Sequence, residues 1–214
     1  MNRIGVLGSA AVGQTLAGGL KKHGYDVRIA SRTPAKLADF SAKSGIQAAT
    51  FADVAAWAEA LVLAVKGTAA QSALREAGEK NLQGKLVIDT TNPISDEPPE
   101  DGVLRFFTSP NESLLESLQK TFSGARLVKA FNSVGNGLMV NPAFSGSKPT
   151  MFYCGNDADA KAATRRIIEQ FGWEPADMGT AKAARAIEPL CQLWCIPGFR
   201  ENRWNDHAFH LLTR

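Results

Sequence analysis

Gly8-Ser9-Ala10-Ala11-Val12-Gly13 follows the apolar run Ile4-Gly5-Val6-Leu7 and precedes the helical pattern Thr15-Leu16-Ala17-Gly18-Gly19-Leu20. Strand, glycine turn and helix in that order aim backbone N–H groups and a helix N-terminus at an anion. The spacing is that of G-x-G-x-x-G, the loop that cradles a dinucleotide's pyrophosphate, with Ala10 in place of the middle glycine. One methyl there narrows the approach of the diphosphate without closing it. Gly8, Ser9, Ala10, Ala11, Val12 and Gly13 are therefore expected to bind a dinucleotide. A bare fingerprint also arises by chance, and the plainer alternative is an ordinary tight strand-to-helix turn.

The end of the next apolar run, Val27-Arg28-Ile29-Ala30, is where NAD-binding chains carry an acidic residue for the ribose. No carboxylate stands there; the chain reads Ser31-Arg32-Thr33-Pro34-Ala35-Lys36. Arg32 offers a planar fork of donors suited to a phosphate, and Ser31 a hydroxyl. Thr33 and Pro34 are expected to cap and start the next helix, which brings Lys36 close to the same anion. These residues point to the 2′-phosphate of NADP(H) rather than to NAD. The alternative is that Arg32 and Lys36 are solvated surface charges.

In an open α/β sheet the reacting groups belong at the carboxyl ends of strands. Three more such ends carry small or polar residues. Ala64-Val65-Lys66-Gly67 would let the backbone pass close to a cofactor ribose. In Asp89-Thr90-Thr91-Asn92-Pro93 the proline holds Asn92 extended and presents its amide to the crevice. Ala130-Phe131-Asn132-Ser133 follows the last of the three strands. Ala64, Val65, Lys66, Asn92, Pro93 and Ala130 are expected at the cofactor. Asn92 and Asn132 are expected to flank the reacting ring, one holding the cofactor and one facing the acceptor. Asn and Ser also cap turns routinely, so each site alone is open to a structural reading.

The side chains that are missing narrow the chemistry. There is no nucleophile elbow, no metal-ligand cluster and no Tyr-x-x-x-Lys pair. His207 and His210 could share a helix face, but two ligands do not make a metal site, and none is expected. Hydride transfer between two positioned rings needs no strong general acid or base and suits this set.

The elements that must position these residues alternate strand and helix through the first two thirds of the chain. Leu61–Val65, Leu86–Asp89 and Leu127–Phe131 are continuous apolar runs, as expected of strands buried on both faces. The pattern predicts an α/β doubly wound parallel sheet, the Rossmann NAD(P)-binding fold. Residues 1–150 would form the dinucleotide-binding domain, and 151–214 a small α/β extension packed on the same sheet. Ser109 to Glu112 has capping-box spacing for a helix through Leu118. A last helix from about Ala181 should bury Ile187, Leu190, Leu193 and Trp194 and break at Pro197-Gly198.

The 214 residues are 44% apolar and 21% charged, with a formal net charge of +3, too small to suggest a nucleic-acid or membrane partner. A strand pattern from the first residues leaves no signal peptide, and no run is long enough to span a membrane. Cys154, Cys191 and Cys195 lack a metal spacing and are expected to be reduced, core-facing thiols of a cytoplasmic protein.

Several of these stretches occur together in one known family. With Cys154-Gly155-Asn156-Asp157 and Ala184-Arg185-Ala186-Ile187-Glu188-Pro189-Leu190 added, the chain resembles the NADP-dependent oxidoreductases typified by the reductases of factor 420, a deazaflavin. The resemblance covers nearly the whole chain. It implies a Rossmann domain with a small C-terminal addition and hydride transfer between NADP(H) and a conjugated acceptor of deazaflavin, flavin or quinone type, in a possible homodimer. Two other functions fit the same residues: reduction of a small carbonyl or imine compound, and a non-catalytic NADP(H)-binding redox sensor.

Overall fold

The computed structural model describes residues 1–213. Strands β1 (Arg3–Leu7), β2 (Asp26–Ala30), β3 (Gln47–Ala49), β4 (Ala60–Leu63), β5 (Leu86–Asp89), β6 (Arg126–Lys129), β7 (Thr150–Gly155) and β8 (Glu174–Asp177) form one sheet in the order β3-β2-β1-β4-β5-β6-β7-β8. The helices are α1 (Ala11–Lys22), α2 (Ala38–Ser44), α3 (Phe51–Trp57), α4 (Ala70–Ala77), α5 (Glu79–Leu82), α6 (Leu114–Thr121), α7 (Ala158–Gln170), α8 (Ala184–Ile187) and α9 (Leu190–Glu201).

Successive strand side chains point to opposite faces, so an unbroken apolar strand needs cover on both. Ile4, Val6, Val62, Ile88 and Val128 pack on one face with Leu16 and Leu20 of α1 and Ile167 and Ile168 of α7. Leu7, Leu61, Leu63, Val87 and Leu127 pack on the other with Val54, Leu74 and Leu118 of α3, α4 and α6. β1 lies between β2 and β4, and the chain winds away from it in both directions. A crevice therefore opens at the carboxyl ends of β1 and β4.

The C-terminal third joins this sheet instead of lying on its face. β7 runs antiparallel to β6, with Lys129 opposite Cys154, and β8 pairs parallel to β7 at the edge. An antiparallel seam inside the doubly wound sheet is the one departure from the expected all-parallel pattern.

Local expectations also shift where packing overrides a short signal. Pro34–Leu37 is a 3₁₀ turn preceding α2, and the Thr33 side chain makes no cap bond. Instead, the Thr33 N–H donates to Ser31 Oγ at 3.1 Å. The capping box falls four residues later than expected, at Ser113 and Glu116, where the Glu116 N–H donates to Ser113 Oγ at 3.1 Å. Helix α6 starts there because Leu114, Leu115 and Leu118 are the residues with a core to face. The last helix is split at Glu188-Pro189 but keeps one helical phase: Ile187, Cys191 and Trp194 share the buried face, and Leu193, off that face, is 56% exposed. Helix α9 runs through Pro197 to Glu201, with Gly198 packed so tightly on Trp204 that a Cβ would lie 2.3 Å from the ring. His207 and His210 follow the helix in an irregular segment. His207 Nδ1 lies 2.9 Å from Asp206 Oδ1, and His210 Nδ1 lies 2.9 Å from the Lys148 carbonyl. No group of three or more metal-ligating side chains occurs among the described residues, nor is any helix there long and apolar enough to cross a membrane.

Candidate functional site

The fingerprint loop is shaped by its outer glycines. Gly8 has φ +140, and a Cβ on it would lie 2.0 Å from the Ala64 carbonyl oxygen. A Cβ on Gly13 would lie 2.0 Å from the Gly8 oxygen. Both positions exclude a side chain because backbone meets backbone. Ala10 differs: at φ −84 and ψ −176 its backbone is one that any L residue adopts. That conformation explains how alanine stands where the pattern has glycine. Ala10 is also the N-cap of α1 and makes no side-chain cap bond. The first in-helix backbone bond is Gln14 N–H to the Ala10 carbonyl, at 3.0 Å. The N–H groups of Ala11, Val12 and Gly13 therefore lack intrahelical partners, as the first turn of any helix requires.

Two cavities flank this loop and meet at Val65, which lines both. One, of about 420 Å³, is lined by Gly8, Ser9, Ser31, Arg32, Thr33, Lys36, Phe51 and Val65. Arg32 and Lys36 are exposed there, and neither is in a salt bridge among the described residues. The other, of about 430 Å³, is bounded by Ala10 and Val12, by Ala64–Gly67 after β4, by Thr90–Asn92 after β5 and by Ile94–Asp96. Lys66 and Asp96 face each other at 3.6 Å on its rim.

Ala11, Gly13, Pro93, Ala130 and Asn132 line neither cavity. Gly13 is covered by the loop, Pro93 and Ala130 are buried, and Ala11 is exposed on the first turn of α1. Asn132 is only 3% exposed and reaches neither cavity. It sits behind Asn92 and is tied to it twice. Asn92 Nδ2 donates to the Asn132 carbonyl at 2.7 Å, and Asn132 Nδ2 donates to Asn92 Oδ1 at 3.0 Å. Asn132 Nδ2 also donates to the Ile187 carbonyl at 3.0 Å. Asn92, half-buried, is the member of the pair that reaches the cavity.

Sequence reasoning missed a charged cluster behind this wall. Lys129, fully buried, has its Nζ 2.7 Å from Asp89 Oδ2 and 2.9 Å from Glu188 Oε1, and donates to the Thr91 carbonyl at 2.6 Å. Burial pulls the Lys129 pKa down, but the two carboxylates together outweigh it and hold it above the ordinary lysine value. Glu188 also accepts the Leu114 and Leu115 N–H groups at the start of α6, at 2.9 and 3.0 Å. A lysine inside an apolar strand run was the available signal, since such a charge needs buried partners. Elsewhere, Cys154 and Cys191 are buried and Cys195 is partly so. Burial pushes the Cys154 thiol up to about 12.

Comparison with known proteins bears on what this site serves. A profile of the family described as "NADP oxidoreductase coenzyme F420-dependent" matches residues 3–93. The crystal structure of a candidate F420-dependent NADP-reductase from Arthrobacter sp. FB24 is 34% identical, with TM-score 0.92 over all of both chains. The chain belongs to this family of NADP-dependent oxidoreductases. Metalloreductase STEAP3 of Rattus norvegicus is 26% identical over 199 residues, 91% of this chain, which spans 38% of that protein's length. A reductive aminase from Aspergillus terreus, solved with NADPH4, cyclohexanone and allyl amine, shares the fold. It is 19% identical at TM-score 0.68, over 92% of this chain and 62% of its own.

Proposed function

We propose that this chain binds NADP(H) along the two joined cavities and exchanges hydride with a conjugated acceptor of deazaflavin, flavin or quinone type. The observation that carries the reading is the pair of unmatched cations, Arg32 and Lys36, in one cavity, joined through Val65 to the cavity that holds Asn92. Unpaired cations beside an uncapped helix N-terminus are complementary to an anion with several phosphates. Arg32, Lys36 and Ser31 would hold the 2′-phosphate, and the loop with the first turn of α1 the pyrophosphate. Asn92 would orient the ring end, while Ala10, Val12, Ala64 and Ile94 exclude water around it.

When bound, NADPH supplies the hydride. The residues around the ring end supply position rather than protons. Lys66 and Asp96 are the only titratable side chains among those lining that cavity, and they pair with each other at its rim. That composition favours an acceptor needing no general acid from the protein over a small carbonyl compound. The name of the Arthrobacter relative points the same way. The three free cysteines fit a reducing compartment, the cytoplasm in this reading. The test is NADPH binding followed by NADPH oxidation against a panel of deazaflavin, flavin, quinone, imine and carbonyl acceptors. Turnover with imines or carbonyls alone would replace the acceptor class. Tight binding without any turnover would make the protein a sensor.

A further inference from the structure

Thr91 precedes Asn92, and every polar group it has is bound to the buried charged cluster. Its N–H and its hydroxyl donate to Asp89 Oδ1 at 2.9 and 2.7 Å, and its carbonyl accepts from Lys129 Nζ at 2.6 Å. Lys129 Nζ thus holds Thr91 by a hydrogen bond and Asp89 and Glu188 by ion pairs. We infer that Lys129 is a positioning residue for hydride transfer: held between Asp89 and Glu188, it binds the Thr91 carbonyl while Asp89 binds the Thr91 N–H and hydroxyl, so that the Asn92 amide is fixed in the cavity wall. The inference rests on the NADP(H) reading of that cavity.

Two further observations converge on the same segment. Asn132, which holds Asn92 from behind, lies three residues after Lys129 and is itself bonded to Ile187, the neighbour of Glu188. The cluster therefore holds Asn92 through Thr91 and lies next along the chain to both Asn132 and its partner Ile187. Between Lys129 and Asn132, the bulky, buried Phe131 sits at φ +59, a left-handed conformation costly for such a side chain. Backbone of this kind persists only where its surroundings over-determine it.

Stability alone is a weak account of the cluster. A buried ion network gains little over well-packed apolar residues of the same size, because desolvation offsets the attraction. What directional charged bonds add is a single allowed arrangement. Here that arrangement governs one wall of the ring cavity.

The test compares the unaltered protein with the neutral, near-isosteric triple variant Asp89→Asn/Lys129→Met/Glu188→Gln. Lys129→Met alone would strand two buried carboxylates and is expected to unfold. In the triple variant, hydride transfer at saturating NADPH should fall about ten- to a hundredfold, the scale of a small misplacement of reacting groups. NADPH affinity should stay within about threefold, because Arg32 and the loop are untouched. Without any cofactor, hydrogen exchange of the Asn92 and Asn132 side-chain amides, read by NMR, should become much faster. Trp173→Phe removes a buried hydrogen bond to Met139 and serves as the destabilised control, expected to change neither readout. If the triple variant does not fold, Glu188→Gln gives the same measurements with smaller changes in the same direction. Unchanged amide exchange in the folded variant would overturn the inference, as would wild-type hydride transfer. Should the unaltered protein bind no NADPH, the proposed function would fall, while the cofactor-free amide exchange would still decide whether Lys129 orders Asn92.

Discussion

Two sets of cations lie on either side of the carboxyl end of the sheet, and the chain treats them in opposite ways. Lys129 is fully buried and surrounded by two carboxylates and a carbonyl at 2.6–2.9 Å. Arg32 and Lys36 are exposed, line a cavity of about 420 Å³ and have no carboxylate partner among the described residues. A buried charge without partners would prevent folding, so Lys129 is saturated by the chain itself. An exposed charge costs little to leave unmatched, and unmatched cations around a concave surface attract an anion from outside. The same residue chemistry thus marks a fixed wall in one place and, under the proposed function, a phosphate-binding surface in the other.

The contrast fails if no anion sits over the loop, and Ala10→Val is the harshest way to ask. Ala10 lines the 430 Å³ cavity from the N-cap of α1, so a branched side chain there fills the space the diphosphate would need. NADPH binding should disappear in a fluorescence titration while circular dichroism shows a folded protein. Ala10→Gly should bind as before. Retained affinity in the valine variant would move the phosphates elsewhere.

Arg32→Ala asks whether the unmatched cation is matched by a 2′-phosphate. A charge-assisted contact of about 1.5–3 kcal/mol converts to roughly a ten- to hundredfold loss of NADPH affinity. NADH, which lacks that phosphate, should bind almost as it does to the unaltered protein. Equal losses for both cofactors would return Arg32 to the status of a surface charge.

At the reacting end, Asn92→Ala should lower turnover about tenfold and leave the NADPH dissociation constant within about threefold. In the proposed binding mode the 2′-phosphate and pyrophosphate contacts, which it does not touch, would supply most of the affinity. The pH dependence of the hydride step should stay shallow in both proteins. A bell-shaped profile would instead reveal a general acid and favour the small-carbonyl alternative.

The parallel core and the glycine loop beside two unmatched cations were legible in the sequence because their signals are local. An apolar strand, Gly8 to Gly13 and a helix fall within twenty residues, and Arg32 lies at the end of the next strand. The wall behind Asn92 was not legible, because Asp89, Lys129 and Glu188 come from three elements that only the fold brings together. Asn132 was not legible as a buried residue, for a related reason. Its position after β6 suggested the crevice, but the left-handed Phe131 precedes it, and its amide bonds to Asn92 and Ile187. The buried face of the last helix was misread because Leu193 was counted on it, whereas Ile187, Cys191 and Trp194 recur on one face at helical spacing and leave Leu193 outside.

A third kind of charge sharpens the contrast by lying between the extremes. Arg185 binds Glu116 through two nitrogens at 2.8 Å, near the surface and with each side chain about a third exposed. The hydrogen bonds from Arg185 hold the Glu116 carboxyl below the usual carboxylate range. A carboxylate whose folded pKa is depressed adds stability above its unfolded value, near 4.3, and loses it as pH falls through the lower folded value. Glu116→Gln should therefore lower Tm near neutral pH, by only about 2 °C, the scale of a surface pair in a chain of this size. The difference should shrink only once the pH falls below the ordinary carboxylate value and vanish below the still lower folded value, where the native carboxyl is protonated as well. NADPH binding should be the same in both, because Arg185 lines neither of the two joined cavities. A pair that is matched and partly exposed should thus matter less than either the buried Lys129 or the unmatched Arg32. A Tm difference that persisted unchanged into acid would show that Glu116 acts through its cap contact with Ser113 rather than through its charge.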